Sequence, residues 1–174
     1  MAVERASSSD AFALLGLPAQ FDLDPKVIES AYFERSKELH PDRFATAPAA
    51  ERVVALSRSR ALNDAYQTVK RPVARAEYLL ARAGITIGDN ERLDGAFLMR
   101  VLELREELAE AKQAKDRARL EALHGAMAKR REQALTELGG YFGNGELAEV
   151  KRVLMSLRYV DRYLEECDAA LDED

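Results

Sequence analysis

An all-α fold is what this sequence predicts, on three observations. Strand signals are nearly absent: no β-branched run alternates with polar residues, and the short stretch "GITIGD" (Gly84 to Asp89) reads better as a linker. Apolar residues recur instead at helical spacing along most of the chain. All five prolines sit where a loop or a first helical turn accepts them, because a helix interior tolerates neither the missing N–H nor the ring.

A short helix over about 10–16 comes first. Asp24 and Pro25 read as the N-cap and first position of a helix running to about residue 39, where Pro41 pushes the preceding residue out of the α region. Pro48 starts a helix through "AAERVVALSRSRALNDAYQTV". Pro72 starts another through "VARAEYLLARAG", closed by Gly84 as a C-terminal cap. These four pieces make a first domain over 10–83. Three longer amphipathic segments follow, about 91–113, 116–138 and 146–170, joined by the breaks "AKD" and "GGYFGNGE". Breaks this short force neighbouring helices antiparallel, so 84–174 is expected to form a three-helix bundle.

Composition narrows the function. A chain of 174 residues with 47% hydrophobic and 33% charged side chains is that of a soluble globular protein. The net charge is −5, with 12 basic and 11 acidic residues over 1–88 against 14 and 20 over 89–174. An acidic second half argues against nucleic acid, whose phosphates demand clustered Lys and Arg. The single cysteine, Cys167, excludes an intrachain disulfide and any cysteine cage for zinc or iron–sulfur, so a reducing compartment, the cytoplasm, is expected. "MAVERASSSD" has no apolar run of signal-peptide length, and nowhere do eighteen apolar residues stand together. Neither membrane nor cofactor is expected.

The most unusual local feature is His40-Pro41-Asp42, a tight polar corner closing the helix "IESAYFERSKEL". A given tripeptide occurs by chance about once in fifty chains of this length, so its flanks must carry the argument. One reading makes His40 and Asp42 an acid–base dyad, since residues i and i+2 of an extended segment point the same way. No glycine-rich phosphate loop, metal cluster or activated nucleophile accompanies them, and an exposed helix tip should lack a concave pocket. Another reading makes the corner a helix stop, with His40 at the negative end of the macrodipole; that accounts for the His and the Pro but not the Asp. On the flanks, Ile28, Ala31, Tyr32 and Leu39 form one stripe, and Ala61, Ala65 and Val69 another. Two antiparallel helices with the corner at their tip follow.

This arrangement resembles the J domain of DnaJ-type co-chaperones, with His40, Pro41 and Asp42 as the HPD motif and "LNDAY" (Leu62 to Tyr66) matching the third helix of that family. "RPVARAEYLL" (Arg71 to Leu80) and "FLMRVLELREEL" (Phe97 to Leu108) are longer and more specific. With the J domain they resemble the HscB family, specialised co-chaperones of iron–sulfur cluster assembly, over nearly the whole chain from Phe12 to Leu164. The resemblance implies an L-shaped all-α protein that is not an enzyme. Its N-terminal J domain would contact a DnaK-type chaperone, HscA, through His40, Pro41, Asp42, Arg43 and Lys37, and trigger ATP hydrolysis there. "RPVARAEYLL" would pack at the junction, and the C-terminal bundle would bind the scaffold protein IscU. A J protein serving another client is the nearer alternative, and an enzyme using His40 and Asp42 the more distant one.

Departures from the family pattern are visible. The second helix usually offers a basic face, whereas here Lys26, Arg35, Lys37 and Arg43 stand against Glu29, Glu34, Glu38 and Asp42. Arg35 occupies a position of the buried stripe where many J domains have leucine, so its stem is expected to pack with its head in water. The CxxC pair of some mitochondrial relatives is absent, and no transit-like sequence is visible.

Periodicity points to a surface on the bundle. Leu93, Phe97, Val101, Leu104, Leu108 and Ala111 fall within about 80° of arc, the bundle-facing side. Leu98, Met99 and Leu102 fall outside it, among Glu103 and Glu106. In the last helix the expected stripe is Val150, Val153, Leu157, Val160, Leu164 and Leu171, with Met155 and Tyr159 pointing away and Cys167 a small buried hydrophobe at its edge. Surplus apolar residues either mark a binding site or pack beneath the first domain or a neighbouring helix; spacing alone leaves both open. The resemblance assigns IscU binding to Leu98, Met99, Leu102, Glu103, Glu106 and Tyr159. His124, mid-helix with no second ligand in view, reads as a solvated or packed histidine, and "AKRRE" as a solvated face.

Lacking a cysteine pair or a plausible ligand cage, the protein should fold without metal or disulfide. Thermal unfolding is expected to be unchanged by chelator or reductant; a large loss of stability with chelator would expose a missed ligand set, His124 first.

Overall fold

The computed structural model describes residues 10–88 and 91–172; the N-terminal stretch Met1–Ser9 and Asp89 of the linker lie outside them. Among the described residues there are seven α-helices and no strand: α1 (Ala11–Leu15), α2 (Pro25–Leu39), α3 (Ala49–Lys70), α4 (Pro72–Arg82), α5 (Gly95–Gln113), α6 (Arg117–Asn144) and α7 (Leu147–Asp172), with a 3₁₀ turn, Pro41–Phe44, between α2 and α3. None of these helices is long and apolar enough to cross a membrane. The chain divides into two compact units, Met1–Arg82 and Ala83–Asp174.

Three of the helices, α1, α2 and α6, start where a short acidic side chain accepts their unpaired amides. Asp10 accepts from the N–H of Phe12 at 2.9 Å and of Ala13 at 3.2 Å. Asp24 accepts from Lys26 N–H at 2.8 Å with Pro25 as the first helical residue, and Asp116 from Arg119 N–H at 3.0 Å. Two boundaries differ from expectation. α5 starts at Gly95 rather than about 91, so Leu93 of the expected stripe precedes the helix. "GGYFGNGE" is not a break, because α6 runs on through Gly139, Gly140 and Gly143 and stops at Gly145. A glycine costs an interior about 1 kcal/mol but does not end a helix; an end needs a left-handed residue whose amides fold back onto the last carbonyls. Of these glycines only Gly145 has positive φ (73°), and the N–H groups of Gly145 and Glu146 return to the carbonyls of Phe142 and Tyr141 at 3.2 and 2.9 Å.

In the first unit, Phe12 and Leu15 of α1, Ile28 of α2 and Leu62, Ala65 and Val69 of α3 form one buried cluster. α2 and α3 run antiparallel. Ile28 joins the Leu62–Val69 end, while Tyr32 further along α2 stacks on Tyr66 with ring centroids 4.2 Å apart and donates to Asn63 Oδ1 at 2.7 Å. Leu39, at the far end, lies near Val54 and Ala55. Arg35 is half exposed, but its guanidinium is not simply in water: it lies over Gly16, the left-handed cap of α1 (φ 69°), where an added Cβ would come within 2.9 Å of it.

"RPVARAEYLL" becomes α4, and its polar residues close the ends of other helices in this unit. Arg71 Nε donates to Gln67 O at 3.0 Å, and Arg75 Nη1 to Val69 O at 2.7 Å, so two of the last carbonyls of α3 find donors. Arg75 is buried, with its guanidinium 5.1 Å from the Phe21 ring centroid. Burial pulls its pKa below the ordinary arginine value, with Asp22 partly opposing. Tyr78 Oη accepts from Ala11 N–H at 2.9 Å, and Arg82 pairs with Asp10 at 3.0 Å.

In the second unit α6 and α7 form the principal pair, and α5 lies against them chiefly through its C-terminal half. Leu108 and Ala111 are fully buried, but Leu93, Phe97, Val101 and Leu104 are only half-buried. α7 buries Val150, Val153, Leu154, Leu157, Val160, Tyr163, Cys167 and Ala170. Leu164 and Leu171, expected inside, are half-buried, and Leu154 and Tyr163 take the core instead. The reason is that α7 packs against two helices, so its buried arc is wider than one stripe. Tyr163 sits on the α5 side, its hydroxyl donating to Leu104 O at 3.2 Å. Burial pushes the Tyr163 hydroxyl up to about 12 and the Cys167 thiol up to about 11, so both stay protonated at neutral pH.

Arg75 combines a hydrogen bond to an otherwise orphaned carbonyl with packing on Phe21, and two variants separate these. Arg75→Met, which keeps most of the stem, is expected to cost about 1 kcal/mol, and Arg75→Ala about 2–3 kcal/mol, in urea unfolding. Equal stability of Arg75→Met and wild type would show that Val69 O does not need the guanidinium.

Candidate functional site

The corner after α2 is built as a cap. His40 has left the helix (φ −60°, ψ 129°), and Pro41, which lacks the N–H that a first turn leaves unpaired anyway, opens the 3₁₀ turn. His40 Nδ1 accepts from Asp42 N–H at 3.3 Å, which places the proton of the neutral ring on Nε2. Protonation of Nδ1 would break that bond and leave the ring to the Asp42 carboxylate, 3.5 Å away. Arg43 N–H donates to His40 O at 3.0 Å, and its Nη1 to Lys37 O at 3.3 Å, closing the end of α2; Lys37 pairs with Glu34 at 2.8 Å. Local structure uses the ring of His40 and the backbone of Asp42. It does not use the Asp42 carboxylate, whose side chain is 89% exposed against 58% for His40.

A cleft of about 340 Å³ lies beside the corner, lined by Leu39, Phe44, Ala50, Val54 and Ala55 with Glu51 and Arg58. The expectation that the tip lacks a concave pocket is therefore wrong. Neither His40 nor Asp42 lines this cleft, so it supplies no pocket to an acid–base dyad. Val27, Phe33, Val53, Val54 and Leu56 are also exposed on α2 and α3. The sequence reading passed over them, although Val53 stands opposite the Ala55–Leu62–Val69 stripe at helical spacing.

On the second unit, Leu98, Met99 and Leu102 of α5 are 40%, 61% and 57% exposed, and Tyr159 of α7 is 37% exposed. Leu98, Met99, Leu102, Glu103 and Glu106 share the arc of α5 opposite Leu108 and Ala111. Glu103 pairs with Arg100 at 3.0 Å. Tyr159 meets α5 through Phe97, edge to face with centroids 5.8 Å apart. Beneath that contact is a small apolar cleft of about 30 Å³ that reaches Val101, Met127 and Val160. A larger cleft of about 200 Å³ runs along the outer face of α7 past Met155, Arg158, Tyr159 and Arg162. The two arginines were missed in the sequence, where their i+3 and i+7 spacing from Met155 is legible. His124 pairs with Asp168 at 3.1 Å, and among the described residues no three metal-ligating side chains converge.

Residues 93–168, α5 to most of α7, match the family model described as the HSCB C-terminal oligomerisation domain. The solved structure of chaperone HscB from Vibrio cholerae is 35% identical, with a TM-score of 0.84, covering 94% of this chain and 98% of that one. This chain belongs to the HscB family. Human co-chaperone HscB is 25% identical with a TM-score of 0.87, covering 97% of this chain and 84% of that one. Jac1 co-chaperone from Saccharomyces cerevisiae, at 18% identity and a TM-score of 0.75 over 95% of each chain, shares the fold. In HscB terms the first unit is the J domain and the second the C-terminal helical domain. Leu98, Met99, Leu102, Glu103, Glu106 and Tyr159 all lie in the matched C-terminal segment, and the HPD corner lies in the J domain.

Exposure predicts how substitutions on α5 divide. A Leu98→Ala, Met99→Ala, Leu102→Ala triple variant is expected to unfold within about 1 kcal/mol of wild type, whereas Leu108→Ala alone should lose about 2–5 kcal/mol. Circular dichroism melts compare them directly; an early melt of the triple variant would return those residues to the core.

Proposed function

We propose that this chain is a cytoplasmic co-chaperone of iron–sulfur cluster assembly that brings the scaffold protein IscU to the DnaK-type chaperone HscA and stimulates ATP hydrolysis there, with no catalytic site of its own. The observation that carries the proposal is the Asp42 carboxylate. It lies almost wholly in solvent at the end of the α2–α3 hairpin, and the fold gives it no task beyond proximity to the His40 ring. An exposed acid beside an exposed imidazole suits recognition by a partner, with Arg43 and Lys37 adding positive charge at the same tip. The near-balanced charge of α2 leaves less long-range attraction than a basic helix would, so docking rests on contacts at the corner.

Client binding is assigned to the α5 face, with Leu98, Met99, Leu102 and Tyr159 as apolar centre and Glu103 and Glu106 as rim. This is the usual build of a binding surface. Two separate surfaces suit an adaptor, which changes the state of one partner only through its differential affinity for the states of that partner.

One ATPase assay with purified HscA, with and without IscU, tests both surfaces. His40→Gln should abolish stimulation while helical content and IscU affinity are unchanged. The Leu98, Met99, Leu102 triple alanine variant should still stimulate the bare chaperone but lose the synergy with IscU, and calorimetric titration should show severe weakening, about 2 kcal/mol for each central anchor removed. Normal stimulation by folded His40→Gln would remove the HPD assignment. Equal IscU affinity of the triple variant would move the client site or point to another client.

A further inference from the structure

The cleft of about 340 Å³ beside the corner brackets the HPD residues: Leu39 stands just before His40, and Phe44 ends the 3₁₀ turn that carries Pro41, Asp42 and Arg43. Four residues of such a turn, at about 2 Å of rise each, span about 8 Å, so a partner seated on the exposed His40 and Asp42 side chains also reaches the mouth of the cleft. The opposite wall is α3. There Glu51, Val54 and Arg58 stand at i, i+3 and i+7 and share one side of the helix. Val54 is 49% exposed, although Ala55 beside it is buried. Glu51 and Arg58 give this wall an acid and a base about 10 Å apart along the axis. Among the described residues neither has an ion-pair or side-chain hydrogen-bond partner, although Glu51 also favours the start of α3, in whose first turn it lies. The buried cluster that α1 forms with Leu62 and Val69 lies at the other end of the hairpin and leaves the cleft open.

Resting on the chaperone assignment above, we propose that this cleft is a second contact for the DnaK-type chaperone, seating one apolar side chain of a segment that carries a cation toward Glu51 and a carboxylate toward Arg58. Continuity with the corner and the two unengaged charges argue for that occupant. The apolar side chain would lie on Leu39, Phe44 and Val54, and covering them recovers the cost of their hydration. Charges of opposite sign at the two ends fix the direction of the segment, because the reverse direction brings like charges together. Neither His40 nor Asp42 lines the cleft, so the two contacts divide the work. The corner triggers hydrolysis and the cleft holds the chaperone, supplying affinity that the near-balanced charge of α2 does not.

The test titrates purified HscA with the full chain and reads the half-saturating concentration and the maximal ATPase rate separately. Val54→Asp and Val54→Lys both remove the apolar seat at an exposed position. Each should raise the half-saturating concentration about tenfold, with maximal rate, helical content and IscU affinity unchanged. Glu51→Arg with Arg58→Glu should raise it about tenfold at low salt and Glu51→Gln with Arg58→Gln about threefold, both deficits shrinking at high salt. These charge variants serve if the Val54 variants melt early. Wild-type half-saturation in all of them, while folded His40→Gln loses stimulation, would overturn the cleft and keep the corner. Absence of stimulation by the wild-type chain would remove the chaperone assignment and the cleft with it. Opposite effects of Val54→Asp and Val54→Lys would leave a charge site without an apolar seat, and a lowered maximal rate at unchanged half-saturation would make Val54 a support of the corner; either overturns the proposal. Self-association that the Val54 variants lose at unchanged half-saturation would give the cleft to a second copy of the chain and overturn it too.

Discussion

Each helix end leaves backbone amides or carbonyls without an intrahelical partner, and satisfying them governs this structure more than any single apolar contact. Asp10, Asp24 and Asp116 start helices, Gly16 and Gly145 stop them, and Arg71 and Arg75 supply donors to the end of α3. The HPD corner obeys the same rule: the His40 imidazole accepts the Asp42 amide, and Arg43 returns to the last turn of α2. The backbone of the corner and the His40 ring therefore hold their geometry before any partner arrives, which lowers the ordering cost of docking.

The caps also tie distant parts of the J domain together. Asp10 holds the first amides of α1 and pairs with Arg82 at the end of α4, while Tyr78 accepts from Ala11. Arg75 joins the end of α3 to Phe21 in the loop before α2. α4 thus ties α1 and the loop before α2 to the end of α3.

The C-terminal domain distributes its apolar side chains differently. α6 and α7 take the deepest core, and the first half of α5, from Phe97 to Leu104, is only half-buried against them. A helix held mainly by Leu108 and Ala111 can leave Leu98, Met99 and Leu102 in solvent without losing its place. Exposed apolar surface of this kind is unfavourably hydrated, and a partner that covers it recovers that free energy.

Sequence alone determined the helical class, most helix boundaries, the hairpin with its polar corner and the off-core position of Leu98, Met99 and Leu102. These follow from short-range rules: proline geometry, capping chemistry and helical periodicity act within a few residues. Tertiary structure alone decided the rest. The continuation of α6 through three glycines depended on which glycine turned left-handed, and propensity does not reveal that. The exchange of Leu164 and Leu171 for Leu154 and Tyr163 in the core followed from α7 having two neighbours, which widens the buried arc beyond one stripe. The cleft beside the corner, the burial of Arg75 over Phe21 and the neutralising of Glu91 by Lys151 each join residues many positions apart. Periodicity assigns a side chain to a face of its own helix, but only packing determines what that face meets.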